Sequence, residues 1–158
     1  MSVLRFFMLL ALVVWIGGII FFAAAVAPTV FKVLPTRHLA GAVVTRSLTI
    51  LHWMGILSGI VFLVTSMLYW HSVRGAAHPF AIRHVLVYIM LALTVISQYV
   101  VSAKMTALRV SMGEIDLVPL TDARRIAFNQ LHDWSTRLES GVLILGLIVI
   151  FLVARRLS

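Results

Sequence analysis

The chain has 158 residues, 62% of them hydrophobic and 11% charged, which is too apolar for a soluble domain. Its net charge of +8 comes from 13 Lys and Arg against 5 Asp and Glu. These basic residues are scattered between apolar stretches, with no run interleaved with aromatics, which argues against nucleic-acid binding and for attraction to an anionic membrane surface. The lack of cysteine excludes disulfides, thiolate metal sites and cysteine nucleophiles.

Four stretches reach the roughly 20 residues that a helix needs to cross a bilayer. They run from about Phe6 to Ala27, Leu48 to Trp70, Val85 to Ala103 and Trp134 to Ala154. The pattern predicts an all-α integral membrane four-helix bundle, a single four-span domain over residues 1–158.

Arg5, the apolar run after it and Ala25-Val26-Ala27 imitate a signal peptide. The run exceeds the usual signal core and Pro28 would follow the cut directly, so an uncleaved span is expected. Gly17-Gly18 and the alanines 23–25 offer small-residue packing faces, and Pro28 and Pro35 bracket the expected exit.

Thr36 is a candidate N-cap, and no breaker separates it from the second span, so this helix begins outside the hydrocarbon and then enters it. Gly55 and Gly59 have the spacing of a close helix contact. His71 and His78 in the second loop read as solvated. On span three, Thr94, Gln98 and Ser102 share one face at i, i+4, i+8. Thr121 is the expected cap of a long fourth helix that carries Arg124 and Arg125 toward the interface.

Loops one and three hold eight of the 13 basic residues. The positive-inside rule therefore places them in the cytoplasm, with the chain in the plasma (inner) membrane if it is bacterial.

The richest polar stretch is FNQLHDWSTRLES, residues 128–140, at the mouth of span four. Ionisable groups this close to a membrane span persist by pairing, by reaching the interface or by acting. Asn129, His132, Asp133, Thr136 and Ser140 share a helical face expected to point into the bundle. Asp133 and Arg137, four apart with the acid first, are an expected local ion pair. Glu139 lacks such a partner, and Lys104, Arg46 or His52 are candidates from neighbouring helices. The topology brings His52, His132 and Lys104 in from one side, at similar shallow depth by this reading.

Three uses of this polar cluster follow. His52 and His132 are candidate ligands for haem b, or for a metal together with Glu139 or Asp133. The wider polar cluster takes in Gln98, Lys104, Asn129, Asp133, Ser135, Arg137 and Glu139, and within it Gln98, Glu139, Arg137 and His132, with Thr94, could instead line a path for a proton or small solute. Alternatively it locks the bundle or meets a partner, making this a structural or accessory membrane component. No nucleophile–base motif, phosphate loop or paired carboxylates ask for an enzyme. Small-residue faces favour a homo-oligomer or a larger membrane complex.

WIGGIIFFAAAVAPTVF followed by LAGAVV, then ISQYVVSAKMTALR, and the fourth-span pattern of Phe128, His132 and Ser135, resemble an uncharacterised bacterial membrane family. That family is classed by a domain of unknown function and is similar to eukaryotic transmembrane protein 205. The resemblance implies a four-span bundle and no reaction. It marks Gln98, His132 and Ser135 as matching positions, with Glu139 standing where an Asn is expected and His52 where an aromatic is usual. Through Trp-x-Gly-Gly and a membrane histidine the chain is loosely similar to copper-resistance membrane proteins and to the haem-dependent membrane protoporphyrinogen oxidase. That similarity points toward copper or haem and a metal-resistance role.

Overall fold

A computed structural model describes residues 2–75 and 78–157. Its four long helices are α1 (Ser2–Val33), α2 (Arg37–Arg74), α3 (Ile82–Met112) and α4 (Ala123–Leu157), with no strand among the described residues. All four are long and apolar enough to cross a membrane. Helix is the form that satisfies every backbone group internally where no water reaches. At 38 and 35 residues, α2 and α4 outrun the bilayer core, as expected from the breaker-free stretches ahead of their apolar runs.

The ends follow local chemistry. Thr36 caps α2, its hydroxyl accepting from the Leu39 amide at 3.2 Å. Gly75 closes α2 in the left-handed region (φ 72°), with its N–H on the His71 carbonyl. At α4 the cap is Asp122 and not the expected Thr121. Asp122 Oδ1 accepts from the Arg124 amide at 2.8 Å, and the Arg124 guanidinium grips the same carboxylate. Those bonds hold the Asp122 carboxyl down at about 2.

Pro28 does not end the first helix. It lacks an N–H, and in a regular helix its ring would press on the carbonyl four residues back. The backbone widens into a π turn at Phe22–Val26 just before it, with the Ala27 N–H on the Phe22 carbonyl. The helix then continues through Pro28 to Val33. Leu34 is extended, as a residue before proline prefers. A second π turn, Ser97–Ser102, interrupts α3.

The helices form a square in chain order. Each packs on its neighbours, α1 most closely on α2, while α2 and α4 stand on a diagonal. One half of the bundle is a dry core that includes Met8, Leu12, Trp15, Phe62, Met90 and Val149. Glycines set the closest approaches. Gly55 lies under the Trp15 indole, where an added Cβ would come within 2.5 Å, and Gly146 lies under Ile16, where it would come within 2.0 Å. Gly59 receives Leu91 and Trp15, so the Gly55/Gly59 pair serves close contact as its spacing predicts. Of the Gly17-Gly18 pair, Gly18 packs on Leu51 and Gly17 faces outward. Beyond Phe21 the first helix diverges from α4, and the other half of the bundle opens there.

Candidate functional site

Where the helices diverge, three polar side chains from three helices meet. His52 of α2 is 1% exposed. Its Nδ1–H donates to Gln98 Oε1 of α3 at 2.7 Å, and its Nε2 lies 2.6 Å from Glu139 Oε1 of α4. Gln98 sits in the π turn of α3. Such a turn widens the helix and rotates the residues after it, and π turns recur at functional positions. With Nδ1–H given to Gln98, Nε2 is the ring atom that faces Glu139. Either Nε2–H donates to a carboxylate or a carboxylic acid O–H donates to Nε2. One proton moving along this bond converts an ion pair into a neutral pair.

Glu139 is also part of a cavity wall. The cavity, about 750 Å³, lies between the four helices at the end where loops one and three emerge. Its α1 wall is apolar, with Phe22, Ala23, Ala27 and Phe31. Its α4 wall is polar, with Asn129, His132, Thr136, Glu139 and Ser140. Toward the dry core it stops at Ile19 and Leu143, and toward the loops it is ringed by Arg37, Arg109 and Arg125.

This geometry divides the predicted cluster. Gln98, His52 and Glu139 are joined directly. Asn129, His132 and Ser135 line the cavity beside them, Ser135 buried and the other two exposed to the opening. Lys104 faces a separate groove with Trp134, between α3 and α4. Asp133 is exposed off the cavity and forms no ion pair with Arg137, whose guanidinium lies 5.4 Å above the Trp134 ring. The expected face thus loses Asp133, while Asn129, His132, Thr136 and Ser140 keep it. The roughly similar shallow depth expected for His52 and His132 does not hold either. His52 is level with Glu139, seven residues or roughly 10 Å along α4 from His132.

Two groups were not singled out from sequence. Arg109, counted there as a loop charge, is half-buried inside α3 and donates to Thr45 Oγ1 at 2.9 Å. Its guanidinium lies 5.5 Å from the Phe128 ring centre. A charge one turn short of a helix end was the available signal. At the opposite end of the bundle, Arg83 Nε–H donates to Ser66 Oγ, whose O–H donates to His84 Nε2, and His84 Nδ1–H donates to the His78 carbonyl. Arg83 also stacks 4.7 Å from the Trp70 ring. These three side chains are almost wholly buried, and the signal was the Arg-His pair at the edge of span three.

His52 as it stands here is not set up to ligate haem iron. Iron ligation needs a free imidazole nitrogen, and both of those on His52 are engaged. Among the described residues no group of three or more His, Cys, Asp or Glu is placed to hold a metal ion.

A family model, domain of unknown function (DUF4149), matches residues 10–114. The match takes in His52, Gln98 and Arg109 and stops before α4, so Phe128, His132, Ser135 and Glu139 lie beyond it. No curated protein and no solved structure matches the chain.

Proposed function

The chain belongs to the DUF4149 family, a domain of unknown function, and from its own side chains we propose that it is a ligand-binding integral membrane protein. The carrying observation is that Glu139 both lines the cavity and shares a 2.6 Å hydrogen bond with buried His52. An internal lock would bury its polar groups on all sides, as Ser66, Arg83 and His84 are buried. Glu139 instead presents one side to about 750 Å³ of space, a size typical of pockets for drug-sized molecules. A polar group of the ligand meets Glu139, and the proton shared with His52 sets whether it meets a carboxylate or a carboxylic acid.

The packed core beyond Ile19 and Leu143 favours binding over a through-going path for solutes. By charge distribution the mouth faces the cytoplasm. Outward-facing Gly17 and Ala24 favour association with a second copy or a larger complex.

The test uses the absence of cysteine. Thr136→Cys, on the cavity wall, reacts with a small soluble maleimide, and Ala23→Trp, filling the cavity from the facing wall, slows that reaction severalfold. Native mass spectrometry of detergent-extracted protein then shows a copurified small molecule in the wild type and none in Ala23→Trp. Bare protein mass in both, with Thr136→Cys unreactive, overturns the reading.

A further inference from the structure

We propose that Arg109, with Arg37 and Arg125, holds the phosphate of a membrane phospholipid whose body occupies the cavity. The inference rests on the ligand-binding reading above and names its ligand class.

The arginines carry it. All three line the cavity at the loop end, and none is paired with a carboxylate. Of the acids in the chain, Glu139 is the one that lines this cavity, and it is committed to His52. Asp122 is held by Arg124. Arg125 Nη1 donates to the carbonyls of Ile115 and Val118, and the Arg37 side chain makes no hydrogen bond within the described residues. Arg109 is the most constrained. It spends one of an arginine's five N–H donors on Thr45. Its position against α2 depends on Gly41, where a Cβ would stand 3.0 Å from Nη2. A half-buried guanidinium held this way, with donors left over, is costly unless an anion meets it. A planar fork of donors suits phosphate oxygens, and basic pockets between membrane helices take anionic lipid headgroups.

Size and access choose the lipid. A bare phosphate would leave most of the 750 Å³ empty. The side chains of Asn129 and His132 make no hydrogen bond within the described residues and stand on the cavity wall, available to the rest of a headgroup. Facing them, Ala23 and Phe31 are apolar and exposed where α1 diverges from α4, which gives acyl chains an exit to the bilayer.

The experiment is native mass spectrometry of the full chain in detergent with added phosphatidylglycerol, diacylglycerol of the same chains, or inorganic phosphate. Phosphatidylglycerol binds at least about tenfold tighter than diacylglycerol, and Arg109→Gln and Arg37→Gln each remove about tenfold or more of its affinity. Arg124→Gln, at the arginine held by Asp122 outside the cavity, leaves it unchanged. The Arg37 side chain makes no hydrogen bond within the described residues, so its variant reports binding even if Arg109→Gln folds poorly. Equal binding of the two lipids overturns the phosphate assignment while leaving a binding cavity. No binding of any of the three probes overturns the lipid assignment, and the ligand-binding reading falls with it only if Thr136→Cys is also unreactive and the wild type carries no copurified molecule. Inorganic phosphate that binds at Arg109 and is not displaced by phosphatidylglycerol overturns the lipid in favour of a soluble anion.

Discussion

His52 and Glu139, 87 positions apart, are joined at 2.6 Å across the diagonal of the bundle, where their helices α2 and α4 do not pack closely. Neither gains this partner from its own helix. The bond exists because α1 and α3 hold α2 and α4 at a separation that two long polar side chains can span.

Removing one partner should therefore cost more than weakening the bond. Glu139→Ala leaves the buried Nε2 of His52 unpaired, a loss of about 1–3 kcal/mol. Glu139→Gln keeps a hydrogen-bonding group in place and loses less. In denaturant unfolding in detergent, His52→Ala and Glu139→Ala combined should show a coupling of at least about 0.5 kcal/mol. Strict additivity would mean that the bond contributes nothing to the fold.

Gly55→Ala should destabilise the bundle by about 1–3 kcal/mol, because the new methyl meets the rigid Trp15 indole. Gly17→Ala is the control: nothing stands within 4 Å of its Cβ position, and the change should be neutral or slightly stabilising. Thermal unfolding of the two variants side by side checks the contrast.

Asp133→Asn should change stability by less than about 0.5 kcal/mol, since the carboxylate is exposed and unpaired. A larger loss would show that Asp133 and Arg137 do pair as their spacing invites.

The first turn of α4 should loosen in acid. Asp122 has its carboxyl lowered from 3.8 to about 2 by Arg124, so its capping contribution is complete above the ordinary value and is lost as pH falls through about 2. Hydrogen exchange at the Arg124 amide should accelerate across that window and be fast at every pH in Asp122→Ala. Exchange that is independent of pH after correction for intrinsic rates would count against the cap.

Much of this was legible beforehand. Thr36 announced its helix, and Gly55 with Gly59 announced a close contact, because both effects are local to one helix. His52, Gln98 and Glu139 were each visible as misplaced polarity. Their meeting was not, and Lys104, Asp133 and Arg137 looked equally eligible. Spacing along a helix says which residues share a face, but not which neighbour that face meets or at what depth.

The sequence by itself determined four membrane-length helices, the long reach of the second and fourth, and the end of the bundle at which the polar residues gather. These follow from composition and from the cost of burying polar backbone in lipid. Only the tertiary structure decided that Pro28 is carried through by a π turn and that α1 swings away from α4 there. It alone placed Glu139 between buried His52 and an open cavity ringed by arginines. The reason is physical: helix register and separation are set by side chains packing between helices, here by Gly146 under Ile16 and Gly55 under Trp15, and contacts between distant residues leave no period within a single stretch of chain.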